Sequence, residues 1–354
     1  MDKKYLLAFG MGAASLALGI LVVRLIGIGT GLPPVDPPEN ADPPRRIANI
    51  SGPYTHKNLT VYLVHGDNVL TGKTPLTLEE AMQRKLVRVH ETSDVNELEI
   101  ENISRTDEVF VQAGDIVKGG KQDRVLSVDL LIPALSDRIP ISSFCVEHGR
   151  WTARGNESTS EFNSAEEMLP SKDLKVAAMH SNSQAAVWDN VAKSQEKLSA
   201  AANTNVASNT SRSSLQLSLE NDRVRANADD YKNALRSIVK SKDDVIGFVF
   251  AIGGEINSGD VYGSNELFEK LWPKLLKAAA IEAVAESSDA RIRSTVAAEL
   301  ISSFLADAEA GRMTSSQNVT NRVRVIKRQS GAIAFTESRD TEGGAWLHRS
   351  YISQ

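Results

Sequence analysis

Apolar and polar positions alternate over short runs in the first part of this chain and recur at helical spacing in the second. Leu59 to His65 (LTVYLVH) has the pattern of a strand, and Leu86 to Glu91, Glu97 to Asn102 and Glu108 to Gln112 follow as short strands. Gln122 to Ile132 and Arg138 to Val146 extend this β-rich stretch. Thr77-Leu-Glu-Glu80 fits a capping box, in which the hydroxyl and the carboxylate satisfy free amides at a helix start. The spacing therefore predicts a short helix from Leu78 to Lys85.

After Trp151 the period lengthens. Ser183 to Ala202 places Val187, Trp188, Val191 and Leu198 at helical spacing, whereas Asn203 to Ser214 is polar and reads as a mobile loop. Asp229 to Val239 is another helix. Val245 to Ile252 and Glu255 to Tyr262 are strands around Gly253-Gly254, a hairpin signal because glycine adopts positive φ without strain. A helix starts near Ser264 with a broad apolar face of Leu267, Phe268, Leu271, Trp272, Leu275 and Leu276, and Pro273 is expected to kink it. Arg291 to Ala308 is helical, and Arg322 to Lys327, Ala332 to Thr336 and Ala345 to Tyr351 close the chain as strands. The predicted class is α+β, with a β-rich part over 48–151 and a mixed part over 152–354.

The amino terminus follows neither pattern. Tyr5 to Val23 is uncharged and apolar, and at 1.5 Å per residue it spans roughly 28 Å, the thickness of a bilayer core. Lys3 and Lys4 precede it, so 1–31 reads as a membrane anchor with a cytoplasmic amino terminus and the body outside, periplasmic or extracellular. Arg24, at its far edge, weakens that bias. A cleaved signal peptide that releases a secreted body is the competing reading. Six prolines between Leu32 and Arg46 make 32–47 an extended spacer, because proline fixes φ and donates no backbone hydrogen bond. The globular domain is then 48–354.

Composition narrows the chemistry. A hydrophobic fraction of 41% in 354 residues is ample for a core. The net charge of -5 is interspersed, without the concentrated basic face that phosphate neutralisation needs, so no nucleic-acid partner is expected. Cys145 is the only cysteine, which excludes an intramolecular disulfide. The six histidines show no His-x-His or His-x-x-x-His pair, and neither a metal nor a cofactor is expected.

Glycine, charge, amide and aromatic residues are densest between Asp115 and Trp151. Gly114 to Gln122 (GDIVKGGKQ) misses the phosphate-loop pattern at the first glycine and at the hydroxyl residue, which removes nucleotide-triphosphate hydrolysis. Gly119, Gly120, Lys121, Gln122 and Arg124 still make an anion-binding corner of exposed amides and positive charge. A tight turn with solvated charges is the alternative. Glu147, Arg150 and Trp151 form a second binding set, since a guanidinium grips a carboxylate or phosphate and an indole stacks on a ring. The alternative there is an internal Glu147–Arg150 salt bridge with Trp151 in the core. Cys145 and His148 lie on opposite faces of a strand, which argues against a thiol–imidazole pair. Asp230 and Asp260 are isolated acids, weak evidence for acid–base work.

Several ordered motifs converge on one family. Gly119-Gly-Lys-Gln122 with Arg124, Pro140 followed by Cys145, Glu147 and Gly149-Arg-Trp151, Gln184 with Trp188, and Asp260 to Leu276 (DVYGSNELFEKLWPKLL) resemble the ARPP domain, the ARG and rhodanese-phosphatase-superfamily-associated protein domain. His348 falls near the C-terminal position where such domains carry a histidine, and the likeness runs from about Ser51 to the C-terminus. The resemblance implies a contextual link to ADP-ribose or phosphate chemistry. The expectation is a membrane-tethered binding module for an anionic, nucleotide-, ADP-ribose- or phosphate-like ligand. One alternative is a hydrolase on a phosphorylated or ADP-ribosyl substrate, with Glu147 as acid–base group and Lys121, Gln122 and Arg124 stabilising charge. A second is an adaptor that docks a partner on the face from Leu267 to Leu276.

Overall fold

Eight antiparallel strands form the largest sheet of the computed structural model, which describes residues 49–92, 94, 96–150, 161–287 and 294–354. Their spatial order is β1 (Asn49–His56), β2 (Leu59–His65), β12 (Val245–Ile252), β13 (Glu255–Tyr262), β17 (Trp346–Ser353), β16 (Ile333–Asp340), β15 (Val323–Ser330) and β14 (Arg312–Asn318). The central run VIGFVFAI of β12 is buried for seven of its eight positions, as expected for a strand covered on both faces. Alternation sorts the side chains. Leu59, Val61, Leu63, Phe248, Phe250 and Tyr262 face one side, against α6 (Asn265–Ala285). Tyr62, Val64, Val249, Val261 and Tyr351 face the other, under Ile301, Phe304 and Leu305 of α7 (Ala298–Glu309). Gly253 and Gly254 turn β12 into β13 at φ of 60° and 86°, the geometry the hairpin signal required.

Smaller sheets hold a second core. Six strands run in the order β11 (Phe162–Met168), β7 (Asp115–Gly119), β8 (Arg124–Leu126), β10 (Ile139–Cys145), β5 (Glu97–Asn102) and β4 (Val87–Glu91). Three short ones, β3 (Leu76–Thr77), β6 (Val109–Val111) and β9 (Leu130–Ile132), lie in that order. Helix α1 (Leu78–Gln83) starts on the expected capping box: Glu80 N donates to Thr77 Oγ1 at 3.2 Å and Thr77 N to Glu80 Oε2 at 2.8 Å.

The α+β class therefore holds, although the sheets ignore the boundary between its two parts. β2 of the first part pairs with β12 of the second, and β11 pairs with β7. The expected strand from Gln122 to Ile132 is two strands, because Ser127 to Asp129 leave the sheet and Asp129 turns inward to accept from Ala113 N at 2.7 Å. β14 (RMTSSQN) escaped prediction because it is an edge strand with almost every side chain exposed and no alternation to detect. Helices α2 (Lys172–Met179) and α4 (Leu215–Leu219) have no counterpart in the predicted elements, and α5 (Asp222–Leu235) begins about two turns earlier than expected.

The apolar face of α6 is internal. Leu267, Phe268, Leu271, Trp272, Leu275 and Leu276 are all buried, and Trp272 Nε1 donates to Arg236 O at 3.1 Å. The adaptor reading loses its motivation, because a partner has no apolar face left to cover. Helix α6 runs without interruption through Pro273. The polar run from Asn203 to Ser214 has no regular element, as expected, yet Ser213 is tied to His148 by hydrogen bonds of 2.7 and 3.0 Å. The apolar segment from Tyr5 to Val23, the spacer 32–47 and Trp151 lie outside the described residues. Among the described residues no helix is long and apolar enough to cross a membrane.

Candidate functional site

The corner expected to bind an anion is the turn between β7 and β8. Glycine is required there by close approach: a Cβ on Gly119 would lie 2.6 Å from Glu161 O, and one on Gly120 would lie 2.3 Å from the Phe162 ring. The turn amides already have acceptors. Gly119 N donates to Asp123 Oδ1 at 3.0 Å, Gly120 N to Glu161 O at 3.1 Å and Lys121 N to Glu91 Oε1 at 2.8 Å. None of these three amides is left for a phosphate.

The second set does meet the first, as its place on a neighbouring strand implied. Cys145 of β10 pairs with Arg124 of β8, and Gln122 Nε2 donates to Glu147 O at 2.9 Å. Arg150 Nε reaches Glu147 Oε2 at 2.8 Å and its Nη2 lies 3.9 Å from Asp123 Oδ1. Arg124 donates to Gln122 Oε1 at 3.1 Å and to Cys145 Sγ, and stands 3.6 Å from Glu91. These groups face one another rather than water: Asp123 and Glu147 are 0% exposed, and Gln122 and Arg124 are 1% exposed. Burial against Arg150 speaks against the expected acid–base role of Glu147, and among the described residues its carboxylate shares no characterised cavity with the exposed Lys121. Gln122, Arg124 and Arg150 are likewise internal ties, and only Lys121 is exposed. Burial pushes the Cys145 thiol up, away from a reactive thiolate, and His148 packs edge-on to Trp188 at 4.4 Å.

A second ionisable cluster pins β17 to both cores. His348 Nδ1 lies 2.9 Å from Asp129 Oδ2, its Nε2 lies 3.1 Å from Asp260 Oδ1, and its ring stacks on Tyr262 at 4.7 Å. Lys175 of α2 stands 3.6 Å from Asp260. Burial alone would lower the imidazole pKa, but the two carboxylates more than reverse this and push it up to about 9. Burial would raise Asp260, and Lys175 and then His348 overcome it, holding that carboxyl well below the usual range. Both ring nitrogens are engaged, so His348 is a protonated tie and not a proton shuttle. The adjoining pocket of about 20 Å³ has room for a water.

A cavity of about 410 Å³ opens elsewhere and falls in the size range of small-molecule sites. It is bounded by Ser171 and Lys172 at the start of α2, Lys193 and Lys197 on α3 (Gln184–Ala202), Asn257 on β13 and Glu282 near the end of α6. The register between β12 and β13 slips between Phe250 and Ala251, which leaves Asn257 as an extra, bulged residue. Glu282 is 3% exposed, and its Oε1 accepts from Lys172 N and from Asn257 Nδ2, both at 2.9 Å. Its Oε2 and the Oδ1 of Asn257 have no hydrogen-bond partner. Burial pushes the Glu282 carboxyl up to about 7, and the Lys172 amide and Asn257 offset only part of that.

Sequence reading passed over this site. Its signal is faint but present: Glu282 is the one charged residue within Ala278 to Ala285 (AAAIEAVA), a stretch too apolar for a solvated acid. No metal-binding group of three or more His, Cys, Asp or Glu occurs among the described residues.

Residues 48–352 match the family model of the ARG and Rhodanese-Phosphatase-superfamily-associated Protein domain, and the chain belongs to that family. No curated protein and no solved structure matches the chain.

Proposed function

We propose that this ARPP-domain chain is a binding module for a small polar ligand that carries an anionic group, seated in the cavity above Glu282. The observation that carries the reading is a ligand-sized cavity of about 410 Å³ lined by Lys172, Lys193, Asn190 and Asn257, a basic and amide-bearing wall. At the rim Lys197 is neutralised by Glu286 at 2.5 Å, whereas Lys172 and Lys193 are available to an anion. The apolar segment from Tyr5 to Val23 and the proline-rich spacer support a body tethered outside the membrane.

A thermal-shift series on the full-length chain tests the reading, with ADP-ribose, ribose 5-phosphate and inorganic phosphate as probes. A ligand present at roughly 100 times its Kd adds about 2.7 kcal/mol, or roughly 5 °C for a domain of this size. The shift should be lost in Lys193→Glu. If none of the probes moves the midpoint, the reading is refuted.

The hydrolase alternative moves with the site, because a carboxyl that titrates near neutrality suits acid–base work. Product analysis after incubation with ADP-ribose separates the two: binding without turnover leaves the module.

A further inference from the structure

A row of paired residues crosses four strands on the face that meets α2. Lys327 of β15 lies opposite Thr336 of β16, Thr336 opposite Ser350 of β17, and Ser350 opposite Asp260 of β13. Directly paired residues point to one side of a sheet, and neighbouring strands lie about 4.8 Å apart. Thr336 and Ser350 are short, so the row forms a slot with Lys327 at one end and Asp260 at the other. All four residues line the cavity of about 20 Å³ beside His348, and Lys175 and Met179 bound it from α2.

Around this slot the carboxylates are used up and donors are left over. Asp129 Oδ1 accepts from Ala113 N at 2.7 Å, and its Oδ2 from Ser338 Oγ at 2.7 Å and His348 Nδ1 at 2.9 Å. Asp260 Oδ1 takes His348 Nε2 at 3.1 Å; its Oδ2 is sealed, with the Lys175 ammonium 3.6 Å away. Gln112 is 2% exposed; its Oε1 accepts from Tyr262 Oη at 2.9 Å, and among the described residues its Nε2 has no acceptor. Lys327 donates to Met179 O at the end of α2 and forms no ion pair among the described residues, so burial lowers its ammonium pKa with no carboxylate to offset it. Lys175, Lys327 and the protonated His348 thus face only Asp129 and Asp260 across the cavity, and one positive charge is left over.

We propose that the slot binds one small monovalent anion of the halide class, held between the ammonium groups of Lys175 and Lys327 with the Gln112 amide as a further donor. Volume sets the class: about 20 Å³ admits an occupant the size of a water, so phosphate and carboxylate are too large. Charge separates a halide from a water. The anion cancels the leftover positive charge and accepts from every donor, whereas a water would turn its hydrogens towards carboxylate oxygens that are already engaged or sealed. An ammonium has three N–H groups, so Lys175 still serves Asp260 and Lys327 still serves Met179 O. The ion is structural and ties α2 to the sheet. Its site shares no lining residue with the cavity beside Glu282 and needs no ligand there.

Urea unfolding of the full-length chain at neutral pH, in sodium chloride and in sodium methanesulfonate of equal ionic strength, tests the site. Methanesulfonate screens charge equally and is too bulky to enter. Chloride at about ten times its Kd should raise the folding equilibrium constant about elevenfold over methanesulfonate, with a gain that saturates. Lys327→Met should lose the gain, and Lys121→Ala should keep it. Equal stability in the two salts overturns the inference, and so does a gain that survives in Lys327→Met. Should that variant fail to fold, crystals of the wild type grown in sodium bromide decide. An anomalous bromide peak between Lys175 and Lys327 upholds the site, and a water there without anomalous signal overturns it.

Discussion

Raising the pH should unfasten β17 from its neighbours, and the size of the effect follows from His348. The imidazole is protonated between Asp129 and Asp260, with its pKa pushed from 6.5 to about 9. A shift of that size is worth about 3 kcal/mol of stability. The folded-state pKa is the raised one, so this contribution is complete below about pH 6.5 and is lost as the pH rises through about 9. The depressed Asp260 carboxyl reports part of the same attraction from the other partner, and the two are not to be added. Urea unfolding of the full-length chain at closely spaced pH values measures the loss as a falling midpoint. His348→Gln keeps polarity but cannot carry the charge. It should be destabilised by about 3 kcal/mol at neutral pH and should show a flattened alkaline limb. An unchanged alkaline fall in His348→Gln would refute the reasoning, since the loss would then belong to another group.

Three further outcomes are expected. Glu282→Gln should be more stable than the parent above about pH 7, by about 3 kcal/mol, because the raised carboxyl favours folding below about pH 4.5 and loses that contribution as the pH rises through about 7; denaturant midpoints at about pH 5 and 8 check it. Arg124→Met leaves Glu91 without its buried cation and Gln122 without a donor and should cost about 3 kcal/mol, whereas Lys121→Ala, at an exposed position, should leave the midpoint unchanged. Thr77→Ala removes the hydroxyl half of the α1 capping box, leaves the residue-77 amide free to donate to Glu80, and should lower stability by about 1 kcal/mol, read in the same urea series.

Local rules were enough wherever a segment's partner was water or its own neighbours. The capping box at Thr77, the glycine hairpin between β12 and β13, and the helices α3 and α6 all follow from period and turn chemistry. The motif-rich span from Asp115 onward was legible as a cluster, and the structure does bring its turn and its Glu147–Arg150 pair together. Its meaning was not legible. Gly, Lys, Gln and Arg in a row suit a ligand and a buried salt-bridge network equally well, and only the positions of Glu91, Glu161 and Asp123 show that the amides of Gly119, Gly120 and Lys121 are already taken.

The sequence by itself determined the α+β class, most of the core strands and helices, and membership of the family. These depend on periodicity and on ordered motifs, both of which are local. The tertiary structure alone decided which polar residues are satisfied. Asp129, Asp260 and His348 are far apart in the chain and meet only because β13 pairs with β17 and Asp129 turns in from outside the strand that precedes it. Glu282 and Asn257 meet because a bulge in β13 lies against the last turns of α6. Whether a buried polar atom finds a partner is a matter of distances across the fold, and no spacing along the chain encodes it.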